Sequence, residues 1–305
     1  MIIWIASYPR SGNTLTSQLF KQVFNKVCYE KYNNFYNYIN HVSDDKTFDK
    51  IGLGIYSGSW PEFYNRALSS EELFLIKTHD SPEDKSPCIY IVRNGLHSTE
   101  SFYSYQRQVI KEPCQWEDFL MGSVFPFHSW GSHLDSWNPL IRDNTLLIKY
   151  EDIISNTELV IQKISNFTKL DIQEKWTNNF SELQKKNPEF FRKGGLNRGL
   201  LIPDEIRSAF EELNADWINI LGYNEKIIPE LKSLKKLRNQ IFIQSIKIHE
   251  RDKYISTLTH SPSHKKTLSE KIKMYYIMIY KWIITKIISL SRVFKNLLIA
   301  AYPYK

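Results

Sequence analysis

The sequence predicts an α/β fold, a three-layer, doubly wound parallel sheet with helices on both sides. Short runs of consecutive apolar residues recur along the chain, and helical apolar spacing follows them. Such runs are typical of strands buried on both faces of a parallel sheet, and strands that alternate with helices predict a doubly wound architecture. Because ligands of such folds bind beyond the carboxyl ends of the strands, we expect functional residues to follow the runs directly.

The apolar runs predict four strands. The first, Ile2 to Ala6, ends at the turn-forming Ser7-Tyr8-Pro9, and helical spacing follows from Thr14 to Val27. A second predicted helix covers Ser98 to Tyr105. The remaining three strands are predicted at Leu73 to Lys77, Ile89 to Arg93 and Thr145 to Lys149.

Size and charge exclude two classes of protein. A chain of 305 residues with 42% hydrophobic residues can bury a large core, which excludes intrinsic disorder. The net charge is +7, but residues 261–305 hold nine basic residues and one acidic residue, a charge of +8 that leaves −1 for residues 1–260. Since the body lacks the surplus of basic residues that many phosphate contacts need, we expect no nucleic-acid partner.

Cysteine and histidine usage indicates a cytoplasmic protein without a metal site. Cys28, Cys88 and Cys114 are too few and too scattered for a disulfide framework, and they form no CxxC pair. The apolar start breaks at Ser7, far short of a signal-peptide core. Apart from His79, the histidines form no cluster with metal-ligand spacing.

Two regions leave alternatives open. The aromatic-rich segment 29–64 either lines a ligand pocket or packs an irregular satellite core. From about residue 225 the composition changes, so we divide the chain into a body, residues 1–225, and a basic helical extension, residues 226–305. Lysines recur too often there for a membrane span. The amphipathic segment 268–299 makes peripheral contact with an anionic membrane, at its cytoplasmic face, docks on a partner, or packs onto the body.

A polar loop, Tyr8-Pro9-Arg10-Ser11-Gly12-Asn13-Thr14, follows the first predicted strand and leads into a helix. Gly12 allows the backbone to approach an anion closely. The side chains of Ser11, Asn13 and Thr14 add hydrogen-bond donors, and a helix N-terminus supplies unpaired amides. The basic residue precedes the glycine, and GxxxxGK[ST] is absent, so this is not a Walker A loop. The loop predicts an anion cradle.

Two further predicted strands also end in residues with charged or reactive side chains. Lys77-Thr78-His79 ends the second, and Arg93 ends the third, with Ser101 eight residues later. Together with the loop, these residues resemble the PAPS-dependent sulfotransferase family, which transfers a sulfuryl group from 3′-phosphoadenosine 5′-phosphosulfate (PAPS) and releases 3′-phosphoadenosine 5′-phosphate (PAP). The resemblance spans residues 2 to about 223.

Each motif has its counterpart in that family. The loop looks like the 5′-phosphosulfate loop YP[KR]SG[TN]T, and residues 77–79 look like the KTH strand end with its catalytic histidine. Arg93 with Ser101 resembles the 3′-phosphate motif. Residues 149–152 resemble the YED segment, and Phe191-Arg192-Lys193-Gly194 resembles the FRKG loop.

The resemblance implies a P-loop-like phosphosulfate loop and a division of roles. His79 is expected to be the general base, with Arg10 stabilising the leaving phosphate and Lys77 the sulfuryl oxygens. The residues expected to bind PAPS are Arg10, Ser11, Gly12, Asn13, Thr14, Arg93, Ser101, Tyr150, Phe180, Arg192, Lys193 and Gly194. In-line sulfuryl transfer mainly needs positioning and charge stabilisation, so no metal is required.

This sequence also departs from the family pattern. Arg10 stands where many cytosolic members have lysine, and Leu15 replaces a frequent tryptophan. The dimerisation signature is not recognisable, which leaves the oligomeric state open. The expected acceptor is a hydroxyl or amine of a small molecule, such as a secondary metabolite, or of a glycan.

Two other functions are open to such a sequence. One is a small-molecule P-loop kinase, against which the missing Walker lysine argues. The other is a non-catalytic, nucleotide-binding scaffold at a membrane, against which the presence of His79 with Arg10 argues.

Overall fold

The computed structural model describes residues 1–31, 51–124, 128–186 and 201–223. Within these ranges six parallel strands form one sheet in the order β3-β2-β4-β1-β5-β6. The strands are β1 (Ile2–Ala6), β2 (Cys28–Glu30), β3 (Leu53–Gly54), β4 (Phe74–Thr78), β5 (Cys88–Val92) and β6 (Thr145–Lys149). The central strand β1 therefore has β4 and β5 as its neighbours, so the carboxyl ends of all three lie side by side.

Helices connect and cover the strands. They are α1 (Asn13–Phe24), α2 (Trp60–Ser69), α3 (Gly95–Tyr105), α4 (Trp116–Met121), α5 (Trp130–Trp137), α6 (Tyr150–Ser155), α7 (Thr157–Thr168), α8 (Phe180–Lys186), α9 (Asp204–Leu213) and α10 (Ala215–Ile220). A π-helical turn, Gln106–Ile110, continues α3. No helix in the described ranges is long and apolar enough to cross a bilayer.

Two hydrophobic cores lie on opposite faces of the sheet, because side chains alternate along each strand. The aromatic core contains Trp4, Tyr90 and Trp137. The aliphatic core contains Ile5 and Ile89, with similar residues from the other strands. Helices α2, α3, α4, α5, α9 and α10 supply the aromatic core, and α1, α6 and α7 supply the aliphatic core.

This layered arrangement confirms the predicted α/β fold, and β1, β4, β5 and β6 match the four predicted strands to within one residue at either end. Helix α1 ends three residues before the predicted boundary because Asn25 adopts a left-handed conformation, with φ of 49°, and its amide bonds back to Phe20. The helical extension 226–305 lies outside the described residues, so its boundary stays a prediction.

The described part of the aromatic-rich segment packs against the sheet. Tyr56 and Phe63 stack with ring centroids 4.1 Å apart, and Phe63 also contacts Phe74 of β4. These side chains belong to the aromatic core itself rather than to a satellite core. Three more aromatics of the segment, Tyr29, Trp60 and Tyr64, pack against this core. The others, Tyr32, Phe35, Tyr36, Tyr38 and Phe48, lie outside the described residues.

Candidate active site

The loop between β1 and α1 is shaped to receive an anion. Gly12 has φ of 110°, in the left-handed region that favours glycine. Helix α1 has no side-chain cap among the described residues and no acidic residue in its first turn. Ser11 is fully buried, and its Oγ has no hydrogen-bond partner within the described ranges. The buried hydroxyl and the positive end of the helix are therefore available to a negatively charged group.

Tyr150 closes one side of this loop. A Cβ added to Gly12 would lie 2.6 Å from Tyr150 Cδ2, a distance that real Cβ atoms do not tolerate. The close approach of ring and backbone thus requires glycine at position 12. Asn13 and Thr14 form the first turn of α1, with Asn13 buried and Thr14 partly exposed.

Two arginines lie beside the loop. Arg93 follows β5, and its Nη1 donates to the carbonyl oxygen of Arg10 at 3.1 Å. Arg10 Nε in turn donates to Ser101 Oγ on α3 at 3.3 Å. Each guanidinium lies over a tyrosine ring, with Arg10 Cζ 5.0 Å from the centroid of Tyr105 and Arg93 Cζ 4.6 Å from that of Tyr150. The structure therefore brings the residues predicted for the two phosphate groups into one contact network.

His79 follows β4 and faces the same loop. Its Nδ1 lies 2.7 Å from the carbonyl oxygen of Ser7. A carbonyl only accepts hydrogen bonds, so Nδ1 carries the hydrogen and the basic lone pair of the neutral ring is on Nε2. Asn13 Nδ2 lies 3.4 Å from the same Nδ1, which locates the ring at the start of α1.

The protonation state of His79 follows from its surroundings. Part of the side chain remains exposed. Desolvation, and secondly the positive charge of Lys77, lower the pKa of His79 to about 4. The imidazole is therefore neutral at pH 7 and can accept a proton at Nε2.

Lys77 lies in β4, two residues before His79, and is buried. Its Nζ donates to Glu30 Oε1 at 2.9 Å, and Glu30 ends the neighbouring strand β2. Beyond β2, Lys31 forms ion pairs with Asp80 and Glu83. Charged residues of both signs therefore surround the carboxyl ends of β2 and β4.

Glu151 links Tyr223, near the end of the body, to the loop after β5 that contains Arg93. Its Oε1 accepts from the amide of Asn94 at 3.0 Å, and its Oε2 accepts from the hydroxyl of Tyr223 at 2.9 Å. Asn94 also caps α3 by accepting from the amide of Leu96. Glu151 thus supports the loop that presents Arg93.

The remaining predicted residues are not tested by this geometry. Phe180 begins α8, but the position of its side chain is not described. Arg192, Lys193 and Gly194 lie outside the described residues.

Sequence reasoning missed three supporting residues. Tyr105 lies one helical turn after Ser101, a spacing that places both on one face of α3. Glu30 follows only two residues of its short strand, so no pattern marks it. His133 is fully buried beside His79, and the helical recurrence of Trp130, His133 and Trp137 is the signal that marks its face of α5 as buried.

Cys28, Cys88 and Cys114 are free and buried. No group of three or more His, Cys, Asp or Glu residues in the described ranges is arranged to hold a metal ion.

Comparison with known proteins identifies a domain model over most of the body. The family model described as "Sulfotransferase domain" matches residues 2–199. Sulfotransferase 1 family member D1 of Mus musculus is 30% identical over 212 residues, which cover 61% of this chain and 66% of the relative. The Rattus norvegicus protein of the same name is 30% identical over 197 residues, covering 58% of this chain and 61% of that relative. The chain thus spans under two thirds of the length of these two relatives.

A solved sulfotransferase structure also aligns with this chain. The mouse sulfotransferase SULT7A1 complexed with PAP aligns at 18% identity and a TM-score of 0.41, over 81% of this chain and 84% of that chain. The fold assignment depends on the sheet order and on the family model rather than on this likeness.

Proposed function

The chain belongs to the sulfotransferase domain family, and from that membership we propose that it is a PAPS-dependent sulfotransferase with His79 as its general base. One observation carries the proposal: a neutral histidine with its basic nitrogen at Nε2 stands at the start of helix α1. Within the part of the chain that the structure describes, this helix has no side-chain cap and its loop buries a serine hydroxyl without a partner. The first group can take up a proton, and the second can hold the anion that leaves.

The residues present fit PAPS. The left-handed Gly12 opens the turn at the start of α1, and the buried Ser11 Oγ, which has no partner in the described ranges, suits a phosphate oxygen. In the proposal, residues 10–14 hold the 5′-phosphosulfate, and Arg93 with Ser101 holds the 3′-phosphate. Arg192, Lys193 and Gly194 complete that second site, and Tyr150 and Phe180 bind the adenosine.

The reaction needs one proton transfer and one displacement. PAPS supplies the sulfuryl group and leaves as PAP. His79 Nε2 takes the proton from the acceptor hydroxyl or amine as that atom bonds to sulfur. The bond from sulfur to the bridging oxygen breaks, and its electron pair stays on the leaving phosphate. Arg10 and the amides at the start of α1 stabilise that growing negative charge.

Lys77 has a supporting role in this scheme. Its ammonium is bonded to Glu30, and its charge is the second cause of the lowered His79 pKa. In the proposal it keeps His79 unprotonated before the acceptor binds, and it helps to neutralise the sulfuryl oxygens. The reaction requires no metal, since these residues supply the charge stabilisation.

A transfer assay tests the proposal directly. The full-length protein is incubated with sulfur-labelled PAPS and a panel of four probes: a phenol, an aliphatic alcohol, a primary amine and a monosaccharide. We expect label to appear in at least one probe, and we expect His79→Gln to abolish that transfer. Transfer that persists undiminished in His79→Gln, or phosphoryl transfer from ATP in its place, would contradict the proposal.

The proposal also includes a cytoplasmic location and a small-molecule or glycan acceptor. It further includes contact of segment 268–299 with a membrane. Flotation with phosphatidylserine and phosphatidylcholine vesicles tests the contact. We expect binding to the anionic vesicles alone, and its loss when Lys271, Lys273 and Lys281 are changed to glutamate. Binding that the three changes leave unaltered would refute the membrane contact.

A further inference from the structure

Helix α5 holds the backbone of the segment that carries His79. His133 Nε2 lies 3.0 Å from the carbonyl oxygen of His79. Trp137 Nε1 lies 2.7 Å from the carbonyl oxygen of Asp80. His133 and Trp137 are four positions apart, so they lie on one face of the helix. Two consecutive carbonyl groups after β4 are therefore held from the same helix.

The neighbours of His133 decide which of its nitrogens carries hydrogen. Since the carbonyl of His79 only accepts, Nε2 is the donor. Nδ1 lies 2.7 Å from the hydroxyl of Tyr90, and it accepts from that phenol. Burial, followed by the charge of His79, lowers the pKa of His133 well below its usual range. A neutral imidazole with one donor and one acceptor satisfies both partners.

We propose that His133 is a positioning residue for His79, an inference that rests on the proposed function. His79 is held at two points, at its ring by the carbonyl of Ser7 and at its own carbonyl by His133. Together these contacts fix the direction in which Nε2 points. Proton transfer depends steeply on that geometry. His133 makes none of the contacts described above for the donor site, so its loss is expected to affect turnover and not donor binding.

Two nearly isosteric variants separate this role from simple packing. His133→Gln keeps an N–H donor close to the position of Nε2, whereas His133→Met has similar length and no donor. In the full-length protein, with PAPS and the probe that is sulfated fastest, we expect His133→Met to lower kcat about tenfold or more. The KM for PAPS and the Kd for PAP should stay within about twofold. His133→Gln should recover most of kcat.

Two results of this experiment would overturn the inference. One is an equal loss of kcat in the Gln and Met variants, which would indicate packing alone. The other is a loss that appears in PAP binding and leaves kcat unchanged.

A tyrosine variant tests the second bond of His133. Tyr90→Phe removes the hydroxyl that fixes the tautomer of His133, and we expect a smaller fall in kcat. In the His133→Met background the same change should have no further effect on kcat, because Tyr90 acts through His133. Tyr64→Phe is the matched control, since it removes a phenol hydroxyl that bonds Asp84 in the same core. Additive losses for Tyr90→Phe and His133→Met would contradict the linkage.

A spectroscopic measurement tests the inference even if the protein sulfates none of the probes. In protein labelled with ¹⁵N at histidine, the Nδ1 proton of His79 should give an N–H signal protected by its bond to Ser7. We expect the signal in the wild type and in His133→Gln, and its loss by exchange with water in His133→Met. An unchanged signal in His133→Met would refute the positioning role. If the wild type sulfates none of the probes, the proposed function fails, and this signal still decides the role of His133.

Discussion

The two faces of the central sheet are packed by chemically different cores. The aliphatic core buries side chains without polar atoms, such as Ile5 and Ile89. The aromatic core buries tryptophan and tyrosine, whose N–H and O–H groups need partners. Two of those partners lie at the carboxyl edge of the sheet: Trp130 Nε1 donates to the carbonyl of Arg93 at 3.1 Å, and Trp137 Nε1 donates to that of Asp80.

This difference shows how one sheet divides two tasks. Burial of apolar side chains on the aliphatic face stabilises the fold, and this stabilisation does not depend on how the buried groups are oriented. The hydrogen bonds of the aromatic face are directional, and they hold the backbone from which Arg93 and His79 project. We therefore expect substitutions on the aliphatic face to lower stability, and substitutions of the aromatic-face groups that bond this backbone to lower activity.

The largest effect is expected at the catalytic edge, where the aromatic core ends. His79→Ala should lower kcat about 10²- to 10⁴-fold, because it removes the general base. PAP binding, measured by calorimetry, should stay close to that of the wild type. His97→Ala on α3 is the control, and it should keep kcat within about twofold. A fall in kcat of equal size in both variants would contradict the assignment of His79 as the general base.

The next largest effect is expected within the aliphatic core. Ile5 is fully buried, and Ile5→Ala should lower the free energy of unfolding by about 2–5 kcal/mol. Urea unfolding measures this, with Ile141→Ala at an exposed position as control. The kcat of the remaining folded protein should not change. A loss of kcat larger than the fraction of unfolded protein explains would contradict the division of tasks between the two faces.

A smaller effect is expected from one indole of the aromatic core. Trp137→Phe removes the donor to the carbonyl of Asp80 and should lower kcat about three- to tenfold. Trp217→Phe is the matched control, because Trp217 Nε1 donates at the same distance of 2.7 Å to Asp135 Oδ1 in the same core. Steady-state kinetics should show the loss in the Trp137 variant alone. Equal losses would mean that packing volume, not the bond, matters.

The smallest effect is expected from pH. The pKa of His79 is lowered to about 4 and that of His133 lies well below its usual range, whereas both are near ~6.5 in an unfolded chain. As pH falls below that value, the unfolded chain binds protons that the folded protein does not. Urea unfolding should therefore show lower stability at pH 5 than at pH 7. The decrease should be smaller in His133→Gln, and an identical decrease would contradict this assignment.

Part of the fold is visible in the sequence because it depends on local pattern. Ile2–Ala6 and Thr145–Lys149 are long enough for a continuous apolar run to predict them with correct bounds. The strands Cys28–Glu30 and Leu53–Gly54 are three and two residues long, so no periodicity can reveal them. Their pairing with the sheet is a tertiary property.

The candidate site likewise has a part that the sequence predicts and a part that it does not. The loop with Gly12 and the strand end with His79 follow predicted strands, so the sequence locates them. The contacts that tune them join distant residues: Glu30 lies 47 positions from Lys77, and His133 lies 54 positions from His79. Such pairings depend on strand order and helix packing, which a single sequence does not specify.

In the proposed function the loop at Gly12 holds the 5′-phosphosulfate, and Arg93 distinguishes PAPS from other nucleotides by its 3′-phosphate. Calorimetric titration of PAP into the wild type and Arg93→Ala tests it, with adenosine monophosphate and ATP as competing ligands. We predict that PAP binds the wild type selectively and that Arg93→Ala abolishes that preference. Equal binding of PAP and adenosine monophosphate by the wild type, or undiminished selectivity in Arg93→Ala, would contradict the account.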